Sequence, residues 1–243
     1  MRIFLDVGAH FGECLFKALN PCLNFDLIVA FEPSSEAVKR ILRIKDSRIK
    51  VENFALGASN EYRILYGTGL IGASMYDEKK GNSQGSSELV LVRNASQELR
   101  KYITPLDEVF LKLNCEGSEI EILQSLKDTG LLNDVDHIYV DWDARKIPSL
   151  HGRYFEFRKE LLEGNYSTVS ADEFPVTGWL GVEMWLGEFK NTKVSLIQKI
   201  KFKTFSFLSL EYRFQELIKY YFPNLFKTIS KVRSWHLKLG VKK

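Results

Sequence analysis

Short apolar runs alternate with stretches of helical spacing through about the first 190 residues of the chain. The apolar runs predict strands at Ile3–Val7, Leu27–Phe31, Ile49–Phe54, Val109–Asn114 and Ile138–Asp141. The stretches between them predict helices at Glu13–Asn20, Ser35–Ile44, Ser118–Asp128 and Tyr154–Glu163. Because strands that alternate with helices are typical of βαβ units, we expect an α/β domain with a mostly parallel sheet.

Two further parts of the chain modify this scheme. Residues 58–94 break the alternation and predict an insertion beside the binding edge of the sheet. It consists of short strand-like pieces around a Gly- and Ser-rich loop, at Tyr62–Tyr66, Lys79–Ser87 and Glu88–Val92. We expect the sheet to close with a pair of strands, the last one antiparallel, at Ser167–Ser170 and Gly181–Leu186.

The net charge of +3 hides an uneven distribution of charge. Residues 192–243 hold twelve Lys or Arg and two Asp or Glu, whereas residues 1–191 hold 22 basic and 29 acidic residues. Aromatic residues are interleaved with the basic ones, which predicts a basic helical C-terminal extension at 192–243. Such a segment either lies on an anionic membrane surface or packs its aromatic side chains on the acidic body. Nucleic acid is the least favoured partner, because no recognition motif is present.

The composition indicates a globular cytoplasmic protein. Hydrophobic residues make up 45% of the chain and charged residues 27%, which is ordinary for a folded domain. The three cysteines have no paired spacing, and no apolar stretch approaches the length of about 18 residues that a membrane span needs. Residues 1–5 lead directly into a strand and do not look like a signal peptide. If the extension binds lipid, we expect a peripheral position at the inner face of a membrane.

The strongest chemical signal is the glycine turn after the first predicted strand. Gly8 permits a tight turn, Gly12 permits close packing of the following helix, and the start of that helix offers free N–H groups. Position 10 is His, so the G-x-G-x-x-G pattern for a pyrophosphate is absent. Glu32 ends the second predicted strand, where an acid can bind ribose hydroxyls. These positions predict a nucleoside site; the rival interpretation is that Asp6 and Glu32 merely cap nearby helices.

At this point the chain resembles the FkbM family of methyltransferases. Four blocks occur in the family's order, at Asp6–Gly12, Phe31–Pro33, Asn53–Gly57 and Lys112–Glu119. The resemblance implies a Rossmann-like class I methyltransferase domain over residues 1–191 that uses S-adenosylmethionine. It implies that Asp6, Gly8 and Gly12 surround the methionine part, that Glu32 holds the ribose and that Asn53 to Ala55 lies by the adenine. His10 and Pro33, inside the same blocks, complete the expected cofactor-binding set.

The fourth predicted strand carries polar side chains where a central parallel strand is normally apolar. Alternation places Lys112, Asn114 and Glu116 on one side of it, and Asn114 and Glu116 come at its carboxyl end, where open α/β sheets bind ligands. Asp141 and Asp143 end the next strand. If the two strands are neighbours, the carboxylates of Glu116 and Asp141 face one cavity with Lys112 beneath them. We therefore predict the reacting end of the site here.

Transfer of a methyl group to a hydroxyl needs a group that takes the hydroxyl proton. The family motif commonly reads Lys-Ile-Asp-Val-Glu-Gly, but this chain has Asn114, whose amide can orient a hydroxyl and cannot act as a carboxylate base. Glu116 is the first candidate base, followed by Asp141 and His151. The rival interpretations are a buried ion pair between Lys112 and Glu116, a solvated loop start at Asp141, and a simple turn residue at His151.

Four oxygen-bearing residues also raise the question of a divalent cation such as Mg²⁺. They are Asn114, Glu116, Asp141 and Asp143, but no compact acidic loop fixes their geometry, so a metal is not favoured. From the resemblance we expect an O-methyltransferase acting on a sugar hydroxyl of a glycan or glycolipid precursor. The alternatives are a nucleic-acid or small-molecule methyltransferase, or a non-catalytic module that binds S-adenosylmethionine. An Asn-Pro-Pro-Tyr motif for exocyclic amines is absent, because Cys115 follows Asn114.

Overall fold

The computed structural model describes residues 1–68, 72–79, 86–176 and 178–191. Strands in these ranges are β1 Arg2–Val7, β2 Leu27–Phe31, β3 Ile49–Glu52, β4 Ala55–Gly57, β5 Glu61–Thr68, β6 Ser86–Asn94, β7 Glu108–Leu113, β8 His137–Val140 and β9 Thr168–Ser170. The α-helices are α1 Glu13–Ala18, α2 Ser35–Ile41, α3 Ala95–Leu99, α4 Glu119–Asp128, α5 His151–Glu163 and α6 Trp179–Gly187. Short 3-10 helices lie at Pro21–Leu23, Leu131–Asp134, Asp143–Lys146, Pro148–Leu150 and Ala171–Glu173. The predicted extension at 192–243 is outside the described residues.

The main sheet has six strands in the order β3-β2-β1-β7-β8-β9, and every pairing in it is parallel. The five predicted strands and the four predicted helices are confirmed, with ends shifted by a few residues. The chain begins at β1, moves outward through β2 and β3, and returns to place β7 on the other side of β1. This reversal of direction lies between β1 and β7, and α/β sheets bind ligands beyond the carboxyl ends of strands at such a point.

The prediction that the sheet closes with an antiparallel strand is wrong. Thr168–Ser170 forms the sixth strand, but it runs parallel to β8, and Gly181–Leu186 lies inside helix α6. The buried residues of α6 are Gly181, Val182, Trp185 and Leu186, a spacing that follows the helical repeat. A Cβ atom on Gly181 would lie 2.4 Å from the Tyr139 hydroxyl oxygen, so the absence of a side chain lets α6 pack closely on β8.

The predicted insertion is confirmed as a second, smaller sheet. It has the order β4-β6-β5, with β5 and β6 antiparallel. Residues 72–79, which we call the insert segment, follow β5 and are tied back to it by two backbone hydrogen bonds between Tyr66 and Ser74. Of the Gly- and Ser-rich loop, residues 80–85 lie outside the described ranges.

Apolar side chains cover both faces of the main sheet. One face presents Leu5, Val29, Leu111 and Val140 to a continuous buried core. The other face is aromatic, with Phe110 packed against Phe25 and Trp185 at ring-centroid distances of 5.1 and 5.8 Å. The alternation of side chains along a strand puts Asp6 and Lys112 on this second face, next to Phe4 and Phe110. No helix within the described part of the chain is long and apolar enough to cross a membrane.

Candidate functional site

The glycine turn between β1 and α1 packs directly on the loop that follows β7. Gly8 has a φ of 76°, and a Cβ atom there would lie 2.0 Å from the carbonyl oxygen of Asn114. The N–H groups of Gly8 and Ala9 both donate to the Phe31 carbonyl, at 3.0 and 3.2 Å. Gly12, directly before α1, is the N-cap of that helix and has a φ of 88°. The turn therefore joins the ends of three strands, and residue 8 can carry no side chain without moving the backbone of the next strand.

Asp6 and Lys112 form a buried ion pair beneath this turn. They are register partners on β1 and β7, and the Asp6 Oδ1 to Lys112 Nζ distance is 2.8 Å. Lys112 also donates to the Gly8 carbonyl at 2.8 Å and to the Val7 carbonyl at 3.3 Å. Burial lowers the pKa of Lys112, but the Asp6 carboxylate outweighs it and the pKa lies above its ordinary value. Lys112 therefore stays charged and holds the turn, and its ion-pair partner is Asp6, not Glu116 as in the rival interpretation.

Glu32 meets the same turn from the end of β2. Its Oε2 accepts the N–H of His10 at 2.7 Å, and its Oε1 accepts the N–H of Ser34 at 2.8 Å. Burial raises the pKa of Glu32 to about 7, although the two backbone donors lower it. The structure thus brings together two parts of the predicted nucleoside site. The contact with Ser34, which caps α2 through its own side chain, also gives Glu32 the capping role of the rival interpretation.

The third predicted block lies beside the end of β2. The exposed Asn53 donates its side-chain amide to the carbonyl oxygens of Glu32 and Pro33, at 3.0 and 3.1 Å. Ala55 is buried at the start of β4. These contacts place Asn53 next to the acid expected to hold the ribose. The first three blocks therefore follow one another outward along the edge, from β1 through β2 to the end of β3, whereas the fourth lies after β7 on the other side of β1.

Several buried polar atoms around the turn have no hydrogen-bond partner among the described residues. They are Asp6 Oδ2, His10 Nε2 and Asn114 Oδ1. The other ring nitrogen of His10, Nδ1, lies 2.8 Å from Glu13 Oε1. Because an unsatisfied buried polar atom costs free energy, a cluster of them on one turn indicates a place that a polar ligand completes. One acceptor is a carboxylate oxygen and one an amide oxygen, so they suit a ligand that carries donors.

At the predicted reacting end, Glu116 is paired with a lysine that the sequence pattern did not single out. The Glu116 carboxylate contacts the ammonium of Lys79, which also lies 2.8 Å from Asp143 Oδ2. Asp143 has a second ion pair with Lys146. Burial raises the pKa of Asp143, but the two lysines outweigh it and the pKa lies below its ordinary value. Lys79 stands at the start of a loop rich in Gly and Ser, and no local spacing marks it.

The loop that carries Glu116 is held in an unusual backbone conformation. Glu116 has a φ of 58°, and its carbonyl accepts the Ser74 hydroxyl at 2.6 Å. Gly117 has a φ of 126°, and a Cβ atom there would lie 2.8 Å from the Tyr76 ring. Non-glycine residues in the left-handed region are uncommon and often mark functional sites. The insert segment therefore shapes this loop.

Glu119 ties the same loop to the one after β8. Its fully buried carboxylate accepts the N–H of Gly117 at 3.0 Å and the N–H of Ala144 at 3.1 Å. Burial raises the pKa of Glu119 to about 7. In the sequence, Glu119 is only the last residue of a motif block. Its contacts give it a structural role at the edge where Glu116 and Asp143 lie.

The two other candidate bases lie in different surroundings. Asp141 is half-buried directly after β8, and among the described residues it has no ion-pair partner. Burial and the nearby Asp143 carboxylate raise the pKa of Asp141. His151 is exposed at the start of α5; its Nδ1 lies 2.9 Å from the Arg145 carbonyl oxygen and its ring packs on Phe155. None of these His151 contacts involves another predicted site residue.

β7 and β8 are neighbours, as the predicted common cavity of Glu116 and Asp141 requires. Lys112 is not paired with either carboxylate, because Asp6 is its partner. Within the described ranges, no group of three or more His, Cys, Asp or Glu side chains is arranged to hold a metal ion.

The chain matches a known protein family. The model of the methyltransferase FkbM domain matches residues 6–167. A crystal structure of methyltransferase FkbM from Methylobacillus flagellatus KT is 18% identical, with 53% of this chain and 30% of that chain covered and a TM-score of 0.35. This chain thus spans less than a third of that protein. No curated protein matches the chain significantly. Because the family model covers well over half of its residues, the chain belongs to the FkbM family of methyltransferases.

Proposed function

We propose that this chain is an S-adenosylmethionine-dependent O-methyltransferase that acts on a sugar hydroxyl of a glycan or glycolipid precursor. The observation that carries the cofactor assignment is the carboxylate of Asp6. It is completely buried beside the Gly8 turn, and its Oδ2 has no hydrogen-bond partner in the part of the chain that the structure describes. Glu32 contacts the same turn through the N–H of His10.

The residues around the turn fit this cofactor. Asp6 would accept hydrogen bonds from the ammonium group of the methionine part. Burial raises the pKa of Asp6, and the Lys112 ammonium opposes this increase. Each oxygen of Glu32 accepts one backbone N–H, and an ionised carboxylate has about four lone-pair sites, so acceptor capacity remains for the ribose hydroxyls. Asn53 and Ala55 would border the adenine. When bound, S-adenosylmethionine supplies a methyl group activated by its sulfonium.

The chain must then orient the acceptor hydroxyl and remove its proton. Asn114 Oδ1 is buried and unsatisfied within the described structure, so it can accept a hydrogen bond from a hydroxyl group. We place Asp141 ahead of Glu116 as the general base. The carboxylate of Glu116 is occupied by Lys79, whereas burial raises the pKa of Asp141 and makes it a stronger base than an ordinary aspartate. Asp141 would receive the proton of the acceptor hydroxyl.

The substrate class follows from the resemblance to the FkbM family and from no single contact. A lipid-linked acceptor would also suit the basic and aromatic composition of residues 192–243, which favours binding at an anionic membrane surface. We therefore propose a cytoplasmic enzyme with peripheral membrane contact. The main competitor is a non-catalytic module that binds the cofactor, because Asn114 replaces the aspartate common in the family.

Calorimetry of the purified full chain tests the cofactor assignment. We expect S-adenosylmethionine and S-adenosylhomocysteine to bind and NAD not to bind. Glu32→Ala should weaken both interactions strongly, whereas Glu108→Ala, at the opposite end of β7 and paired with Arg2, should leave them unchanged. Tight binding of NAD would move the protein to the dehydrogenases.

Transfer of labelled methyl groups to a panel of glycans and lipid-linked sugars tests the reaction. Asp141→Asn should retain cofactor binding and lose transfer, because an amide cannot take the hydroxyl proton. Cofactor binding with no transfer to any acceptor would favour the non-catalytic module. Transfer to nucleic acid alone would contradict the proposed substrate class.

A further inference from the structure

One ammonium group joins two carboxylates that come from different strand ends. Lys79 Nζ contacts Glu116, in the loop after β7, and Asp143, in the loop after β8. The Lys79 side chain is only 9% exposed, and that of Asp143 only 5%. A lysine buried to this extent is unfavourable unless its charge is balanced, and here two carboxylates balance it. The two ion pairs of Lys79 are therefore part of the folded structure at this edge of the sheet.

The insert segment holds Lys79 in place through contacts with the loop after β7 and with the 3-10 helix at Pro148–Leu150. Ser74 donates to the Glu116 carbonyl at 2.6 Å, and Glu78 contacts the hydroxyl of Ser149. The position of the lysine is thus set by contacts that do not involve its own charge. Lys79 belongs to the insert segment, which is bridged to the smaller sheet, whereas the two carboxylates follow strands of the main sheet.

A positive charge bridging carboxylates at the ends of neighbouring strands is also the arrangement that a divalent cation adopts in an oxygen-ligand site. Here the ammonium of Lys79 takes that position, and Lys146 adds a second positive charge on Asp143. A metal ion would have to displace Lys79 before it could reach both carboxylates.

We propose that Lys79 is the built-in cation of this edge, a positioning residue that takes the place of a divalent metal between Glu116 and Asp143. The part of this inference that concerns catalysis rests on the proposed function. In that reaction, Lys79 fixes the Glu116 carboxylate and leaves Asp141 as the carboxylate that receives the proton. Methyl transfer then needs no added divalent cation.

The test compares Mn²⁺ binding by full-length variants, measured as loss of the electron paramagnetic resonance signal of the free ion. Lys79→Gln removes the positive charge, and Lys79→Met is a second neutral variant that keeps the side-chain stem in case the first does not fold. Lys79→Arg retains the charge. Lys146→Gln is the matched control, because among the described residues Lys146 forms an ion pair with Asp143 alone, and its side chain is 51% exposed. Melting temperature and binding of S-adenosylhomocysteine show that each variant is folded.

We expect a folded neutral variant at position 79 to bind Mn²⁺ at least about tenfold more tightly than the wild type, because two carboxylates lose their shared cation. Lys79→Arg and Lys146→Gln should remain close to the wild type, and adding Asp143→Asn to Lys79→Gln should abolish the gain. Equal Mn²⁺ affinity of wild type and folded neutral variant would overturn the proposal, as would an equal gain in Lys146→Gln. If no variant binds S-adenosylhomocysteine, the cofactor assignment fails, but the Mn²⁺ comparison still decides the role of Lys79.

Discussion

Oδ1 of Asp6 lies 2.8 Å from Nζ of Lys112, and both side chains are buried in the sheet. The same ammonium donates to the carbonyl of Gly8, so one lysine connects the strand that carries Asp6 with the turn that follows it. The pair also contains the carboxylate expected to bind the cofactor. Stability of the sheet and geometry of the cofactor site therefore depend on the same contact.

Replacement of Lys112 by Met should destabilise the protein strongly. The variant leaves the Asp6 carboxylate buried without its counter-charge, which costs about 3–5 kcal/mol of the free energy of unfolding. The double variant Asp6→Asn/Lys112→Met should lose less than the sum of the single variants, because it removes both charges. Urea denaturation measures these values, with Lys159→Met on the surface of α5 as the control. A loss below about 1 kcal/mol in Lys112→Met would contradict a buried ion pair.

Binding of S-adenosylhomocysteine should depend on pH through Glu32. Its pKa of about 7 means that part of the free protein carries a protonated Glu32 near neutrality. Ribose hydroxyls donate to the ionised form, so binding below this pKa must release a proton and affinity should fall as the pH decreases. Calorimetry at about pH 6 and about pH 8, in buffers of different ionisation heat, detects both effects.

Glu32→Gln should bind weakly and lose this pH dependence. Glu119→Gln is the control, since Glu119 also has a raised pKa but its contacts are with Gly117 and Ala144. If the wild type bound the ligand equally well at both pH values, the assignment of Glu32 to the ribose would be wrong.

Most of the main sheet could be predicted from the sequence because its strands are apolar on both faces. The run Leu27–Phe31 lies between two predicted helices, so the alternation of elements indicates a strand there. The prediction of a strand at Gly181–Leu186 failed because a short apolar run fits a strand or a buried helix equally well. Periodicity alone does not distinguish the two. In the structure the segment is part of a helix in which Gly181 packs against Tyr139.

In the candidate site, too, some features were predictable from the sequence and others were not. The Gly8 turn was predictable because its left-handed backbone conformation favours glycine. Glu32 was predictable because it follows the end of the neighbouring strand, where it contacts this turn. The partner of Glu116 was not predictable, because Lys79 lies in the insert segment, 37 residues earlier in the sequence. The spacing of residues along the chain does not predict such long-range ion pairs. For the same reason the pattern suggested Lys112 with Glu116, although its partner is Asp6.

Glu119 should make stability decrease as the pH rises. Its pKa is about 7 in the folded protein and 4.5 when unperturbed, so the folded state binds the proton more tightly. The resulting contribution is fully present below about pH 4.5 and is lost as the pH rises through about 7, with a maximum of about 3 kcal/mol. Glu119→Gln should show a smaller decrease than the wild type in urea denaturation across this range. Identical slopes would show that the pKa of Glu119 is not raised.

Lysines of residues 192–243 should contribute to binding of anionic vesicles. The variant tested replaces three of them by Gln, at Lys199, Lys201 and Lys203. Each lysine near an anionic surface contributes about 1 kcal/mol, so the triple variant should sediment much less with vesicles of phosphatidylserine and phosphatidylcholine. The control replaces three exposed lysines of the domain, at Lys39, Lys45 and Lys159. Unchanged sedimentation of the triple variant would remove the proposed membrane contact.

Alanine substitutions at Gly8 and Gly152 should have opposite effects. At Gly8 the φ of 76° and a Cβ position 2.0 Å from the Asn114 carbonyl oxygen leave no space, so Gly8→Ala should lose about 3 kcal/mol or more of unfolding free energy. It should also lose binding of S-adenosylhomocysteine. Gly152 lies in the first turn of α5 with nothing within 4 Å of a new Cβ atom, so Gly152→Ala should gain up to about 1 kcal/mol. Urea denaturation and calorimetry measure both variants, and normal ligand binding by Gly8→Ala would exclude this turn as the cofactor site.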